Sequence, residues 1–144
     1  MVSLAENRKA RFDYEVLEDY EAGIQLEGHE VKSAKTGGMS IAGSFVILRG
    51  GDAWLLNASI RPYQPKNVPA DYDPTRSRKL LLRREELEEL LGRTSQKGLT
   101  IVPLEVYTAR GKVKVRIALA RRRKTADKRE VLKRRAAERE MGMP

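Results

Sequence analysis

The 144-residue chain has no cysteine, one histidine, one tryptophan and two phenylalanines. The lack of cysteine excludes a disulfide frame, a thiolate zinc site and thiol redox chemistry. His29 has Glu27 and Glu30 near it at no metal-ligand spacing, so neither a metal site nor a Ser-His-Asp set can be built around it. It reads as an exposed residue at a helix start. No stretch approaches the run of about 18 apolar residues that a membrane span needs. Residues 1–11 also lack the apolar segment of a secretory signal. Phosphate-cradling glycine loops and paired catalytic carboxylates are missing as well. The expectation is a cytoplasmic protein with no catalytic residue, no metal and no cofactor.

What the chain does have is cationic charge, unevenly spread. The net charge is +9. Residues 121–144 hold ten Lys/Arg against four acids, giving 10 − 4 = +6, while residues 1–120 are closer to balance at 19 − 16 = +3. A compact body (1–120) with a basic C-terminal tail (121–144) suits a polyanionic partner, because neutralising phosphates releases counterions without a packed interface.

Hydrophobic periodicity orders the body. Phe12, Tyr14, Val16, Tyr20, Ala22, Ile24 and Leu26 share one parity, which predicts a single long strand over 12–26, with a bulge or bend at Gly23. Residues 28–36 predict a short helix closed by Gly37-Gly38. Phe45 to Leu48 and Trp54 to Leu56 flank a Gly50-Gly51-Asp52 turn and predict a hairpin. Residues 61–79, with four prolines, predict a long loop. Residues 80–91 predict a helix with Leu87, Leu90 and Leu91 on one face and Gly92 just beyond it. A second hairpin runs from Leu99 through a turn at Arg110-Gly111 to Leu119, with Pro103 at an edge or bulge. The predicted class is mainly β with short helices. Five strands with a helix between the third and fourth match an OB-fold-like small β-barrel, although sandwiches share the same element order. The tail is expected to be disordered or helical: 126–141 is rich in helix formers, and Glu130, Arg134 and Glu138 are spaced at i,i+4. Its few apolar residues, Val131, Leu132 and Met141, are too sparse to dock it on the body.

Two basic clusters stand out. Lys112, Lys114 and Arg116 alternate along one face of the last strand, and Arg121, Arg122, Arg123 and Lys124 continue from its end. The loop run Asp73 to Lys79 supplies Arg76, Arg78 and Lys79 beside Thr75 and Ser77, a composition suited to phosphate and sugar contacts. Tyr63, Tyr72, Tyr107 and Trp54 are candidate stacking platforms for unpaired bases, with Trp54 assigned to the core and the two loop tyrosines favoured. The glutamate run 85–89 reads as the solvated side of its helix.

Five segments in order resemble the SsrA-binding protein (small protein B) family of bacterial trans-translation. They are Asn7-Arg8-Lys9-Ala10-Arg11 with Asp13-Tyr14, Tyr20-Glu21-Ala22-Gly23, Glu30-Val31-Lys32-Ser33, Arg78-Lys79-Leu80-Leu81-Leu82 and Asp127-Lys128-Arg129. The resemblance implies an OB-like barrel that binds the tRNA-like part of transfer-messenger RNA and brings it to stalled ribosomes. It implies RNA-binding roles for Asn7, Glu21, Leu81 and Lys112, to which Lys32, Arg76, Arg78 and Lys79 are added as candidate contacts. Glu21 is expected to orient a basic neighbour or accept a hydrogen bond from a base, since it repels phosphate. For the tail, the resemblance implies a segment helical on the ribosome, in the empty messenger channel beside small-subunit RNA of the decoding centre. Arg121, Arg123, Lys124, Asp127, Lys128 and Arg129 are the candidates there. An elongation factor on the same RNA is a further implied partner. Ala126 stands where the family usually carries His or Tyr, Phe12 replaces a common His, and the tail ends early.

A different OB-type translation factor or ribosomal protein is the competing reading. A nuclease is disfavoured because the acids are scattered rather than clustered for metals. A membrane-surface tail is disfavoured by its thin apolar face.

Overall fold

The structure is a computed structural model that describes residues 1–140, without the side chains of residues 67, 125–127 and 138–140. The elements are β1 (Val2–Glu6), α1 (Arg8–Asp13), β2 (Tyr14–Ile24), α2 (Gly28–Lys35), β3 (Met39–Ser40), β4 (Phe45–Arg49), β5 (Asp52–Leu56), β6 (Ser59–Ile60), β7 (Arg78–Leu81), α3 (Arg84–Thr94), β8 (Leu99–Ala109), β9 (Lys112–Arg122) and α4 (Thr125–Glu140). Seven strands form one sheet in the order β1-β8-β9-β2-β7-β5-β4, and β3 pairs separately with β6. Every ladder is antiparallel. The sheet curls until β4 packs against β8. That closure gives a barrel-like body whose core takes Ala22 from β2, Leu55 from β5, Leu80 from β7, Val106 from β8 and Val115, Ile117 and Leu119 from β9.

Both hairpins follow their turn chemistry. Gly50 and Gly51 take φ of 62° and 81°, and Arg110 and Gly111 take 54° and 77°, the two consecutive positive φ values of a two-residue hairpin turn. The β8 ladder shifts register between Pro103 and Glu105, so the proline sits at a bulge as expected. On β9, Val113, Val115, Ile117 and Leu119 face the core while Lys112, Lys114 and Arg116 face out. Ala118 and Ala120 are buried too, because α1 lies on the outer face there and packs Ala10 against them.

The structure departs from the sequence expectations at five places. The strand predicted over 12–26 starts at Tyr14, and Phe12 belongs to α1. Its bulge lies between Val16 and Glu18 rather than at Gly23, and this turns Val16 outward. Residues 78–81 are a strand, not loop and helix start, because Arg78 and Leu80 alternate inward between β2 and β5. Helix α3 therefore begins at Arg84 and carries Gly92 within it. Trp54 is half-buried on the outer face between Ile47 and Lys79, outside the core. The sheet has seven strands, not five; β1, on the edge of β8, has no clear apolar alternation to announce it.

Candidate nucleic-acid interface

Register places the candidate residues of the body in rows across one outer face. Tyr107 on β8 pairs with Lys114 on β9, Lys114 with Gly23 on β2, and Gly23 with Leu81 on β7. The neighbouring row sets Glu105, Arg116 and Glu21 side by side. Directly opposed residues of antiparallel strands point to the same side, so these side chains share one face. Gly23 is the floor of this face: a Cβ there would lie 3.2 Å from Leu81 Cβ, tighter than ordinary contact.

Two adjoining depressions open on the face. One, of about 330 Å³, is lined by Gly23, Ile24, Leu26, Val31, Leu81 and the Gly111 to Lys114 segment. The other, of about 430 Å³, is lined by Met1, Glu21, Ala109, Arg110, Lys112 and Lys114. Lys112 and Lys114 form the shared wall. Glu21, Leu81 and Lys112, far apart in sequence, thus meet at one place. Leu81 is 48% exposed, an apolar surface beside two ammonium groups. Lys32 is exposed on α2, next in sequence to the lining Val31, and Lys35 Nζ donates to Gly111 O at 2.9 Å, tying that helix to the turn. Arg110, absent from the sequence candidates, joins the lining because the tight turn projects it.

Glu21 is the only carboxylate among those lining residues. One of its oxygens, Oε2, accepts from the Tyr107 hydroxyl at 2.5 Å. Tyr107 is fully buried, which removes it from the stacking candidates.

The second basic cluster behaves differently. Arg78 is fully buried and faces Glu30, which is equally buried on α2. The Arg78 Nε and Nη2 donate to Glu30 Oε2 at 2.9 and 2.6 Å, and its remaining donors reach Ala58 O, Arg76 O and Pro74 O. Arg76 pairs with Glu30 Oε1 through Nη2, leaving about a third of its side chain exposed. The Tyr72 hydroxyl lies 3.0 Å from Glu30 Oε2 and 2.9 Å from Ile60 O. Burial pushes the Glu30 carboxyl up, but hydrogen bonds from Arg76, the Glu27 backbone and Arg78 overcome it and hold the group at about 2. Burial and the Glu30 hydrogen bond push the Tyr72 phenol up to about 12.

This network corrects three expectations. Arg78 is not a loop cation available to phosphate; every part of its guanidinium is spent inside the protein. Tyr72 is a strut of the network rather than a free stacking platform. His29 is half-buried, packed edge-on against Tyr72 with ring centroids 4.7 Å apart, its Nε2 2.7 Å from Glu27 Oε2. Lys79 points outward from β7, 3.6 Å from Asp52 Oδ1, and Tyr63 is exposed in the loop.

Asn7 is corrected in the same way. It is buried, its Oδ1 accepts from Ala10 N at 3.2 Å to cap α1, and its Nδ2 donates to Pro103 O at 3.0 Å. Both ends of the amide hold α1 to the bulge of β8, so its role is to position backbone.

Among the tail candidates, Arg121 still belongs to β9, paired with Leu99 and Glu15, and Arg123 N donates to Asp13 O at 2.7 Å. Lys124 and Arg129 are exposed. Asp127 lies in α4, its side chain outside the described residues, as are residues 141–144. Lys128 Nζ sits 3.0 Å from Asp13 Oδ1 and 5.8 Å from the Phe12 ring centroid, and Arg135 lies 5.9 Å from the same ring. The tail therefore does rest on the body, through an ion pair and cation–π contacts rather than the apolar stripe that it lacks. Among the described residues there is no cluster of metal-ligating side chains and no helix long and apolar enough to cross a membrane.

The family model described as SmpB protein matches residues 4–143. SsrA-binding proteins of Thermosynechococcus vestitus and Gloeothece citriformis are 49% and 50% identical over 138 residues, covering 96% of this chain and 91% and 89% of theirs. A solved structure from the work entitled "tmRNA-SmpB: a journey to the center of the bacterial ribosome" is 52% identical, with a TM-score of 0.66 over 83% of this chain and 84% of that one. With its barrel-like sheet, its lysine-walled outer face and a match spanning almost its full length, the chain belongs to the SmpB family of SsrA-binding proteins.

Proposed function

We propose that this protein binds transfer-messenger RNA (SsrA) on the outer face of β7, β2, β9 and β8 and delivers it to stalled ribosomes for trans-translation. The observation that carries the reading is the meeting of Arg110, Lys112, Lys114, Glu21 and Leu81 around two depressions on a chain of this family. Lysines there neutralise phosphates, the Leu81 surface packs against sugar or base, and Glu21 accepts from a base amino group. Lys32, Lys79 and the exposed part of Arg76 flank the same function as outlying cations. The body (1–120, extended by β9 through Arg122) holds the RNA, and the remainder of the tail (121–144) occupies the empty messenger channel and decoding centre with Arg123, Lys124, Asp127, Lys128 and Arg129. An elongation factor shares the RNA. The protein is a cytoplasmic adaptor, not an enzyme.

Two experiments test the division of labour. Replacing Lys112 and Lys114 with Ala is expected to weaken transfer-messenger RNA binding and to reduce the slope of log K against log salt by about 0.7–0.9 for each phosphate no longer neutralised. An unchanged slope would remove those lysines from the interface. Replacing Asp127, Lys128 and Arg129 with Ala is expected to leave RNA affinity nearly intact and to abolish peptide tagging on stalled ribosomes. A large loss of RNA affinity in that variant would contradict the separation.

A further inference from the structure

Tyr107 is the feature of the outer face that the proposed function does not absorb. It lies on β8, in the row of Lys114, yet its hydroxyl reaches across β9 to a carboxylate on β2. The ring is fully buried, with the Arg116 guanidinium 5.2 Å from its centroid. Arg116 Nη2 donates to the hydroxyl oxygen at 3.4 Å, and Nη1 lies 3.5 Å from Asp19 Oδ1. The hydroxyl proton has one acceptor, Glu21 Oε2, and burial together with that bond pushes the phenol up to about 12, so it stays a donor at any physiological pH.

A freely rotating glutamate on a sheet surface loses rotamer entropy when it meets a ligand. It is also drawn toward the ammonium groups of Lys112 and Lys114 on the shared wall. A carboxylate with one oxygen pinned is spared both problems. Its other oxygen, Oε1, has no hydrogen bond among the described residues, and Glu21 is one of the residues that line the 430 Å³ depression.

We propose that Tyr107 is a positioning residue: it fixes the Glu21 carboxylate as a pre-set acceptor, so that the cationic face admits a nucleotide base carrying an amino or imino donor rather than phosphate alone. The inference rests on the reading of this face as the RNA site. It adds the element that gives base discrimination to a surface whose lysines confer only charge attraction. Arg116 donates to the same hydroxyl, completing a chain from Asp19 to Glu21.

The test is a double-mutant cycle of Y107F and E21Q in the full chain, read as affinity for transfer-messenger RNA and for ordinary tRNA at several salt concentrations. Y107F keeps the buried ring and removes one oxygen. The expected result is about a tenfold loss of affinity for transfer-messenger RNA, the scale of a hydrogen bond to a charged group. The affinity for ordinary tRNA and the salt slope stay unchanged, and no further loss follows when Y107F is added to E21Q. A loss as large in the E21Q background as in the native one would show that Tyr107 acts through the barrel, and would overturn the proposal. If E21Q weakens binding and Y107F does not, the positioning role falls while the RNA reading stands. If neither E21Q nor K112A affects binding, the RNA reading itself falls and takes the inference with it. Should Y107F not fold, E21D replaces it, since the shortened carboxylate keeps its charge but draws back from the hydroxyl. Binding of E21D at native strength would overturn the proposal equally.

Discussion

Glu21 and Glu30 are the same residue type, nine positions apart, each among arginines and beside a tyrosine hydroxyl, and they do opposite things. Glu30 is fully buried and receives Arg76, Arg78 and Tyr72, which leaves nothing for a ligand. Glu21 is exposed and receives Tyr107 on one oxygen, and its residue lines a cationic depression. Charge by itself does not mark a binding residue. The number of partners already satisfied, and the water left around the group, decide whether a carboxylate or a guanidinium belongs to the fold or to the ligand.

Breaking the buried member has the largest expected effect. Glu30→Gln leaves the Arg78 guanidinium buried without its counter-charge, a loss on the order of 3–5 kcal/mol in urea unfolding. A loss below about 1 kcal/mol would mean that water reaches Arg78.

Acid probes the same group without mutation. The Glu30 carboxyl is held at about 2, below its ordinary 4.5. A depressed carboxyl stabilises the fold fully above its unfolded value and loses that contribution as pH falls toward its folded one. Between about pH 4.5 and 2 the native chain should therefore lose roughly 3 kcal/mol from this group, an acid-labile increment that the Glu30→Gln variant lacks. Equal acid profiles for the two chains would contradict the assignment.

A smaller effect sharpens the contrast from the rim of the network. Arg76→Gln removes a partly exposed partner, so about 1 kcal/mol of stability is expected to go. RNA affinity should fall less than for the lysine pair at 112 and 114. If Arg76→Gln lowers the affinity as far as the lysine double variant does, the loop is part of the interface after all.

Much of this molecule was legible beforehand. Glycines in pairs announced the β4–β5 turn, and strict alternation from Val113 to Leu119 set both the strand and the side on which its cations stand. The tail's charge was plain from the count. What misled was a polar residue inside and apolar ones outside. Arg78 alternates with Leu80 toward the core, but an arginine at an inward position breaks the hydrophobic pattern, so β7 read as loop and helix. Phe12 matched the parity of β2 while belonging to a helix whose cap, Asn7, finds its second partner 96 positions away at Pro103. Trp54 reads as core because it stands inside a strand, yet the sheet gives its neighbours Ala53 and Leu55 the inward side.

Composition and short-range order were enough to say where the charge lies, which segments turn, and which family the chain resembles, since these depend on neighbours a few residues apart. Which of the charges are free is a property of the folded chain alone. Arg78 finds Glu30 across 48 positions, and Tyr107 finds Glu21 across 86. Ion pairing and desolvation act through space, so a cation's availability to RNA is set by what the fold brings within about 3 Å of it, a distance that sequence spacing does not encode.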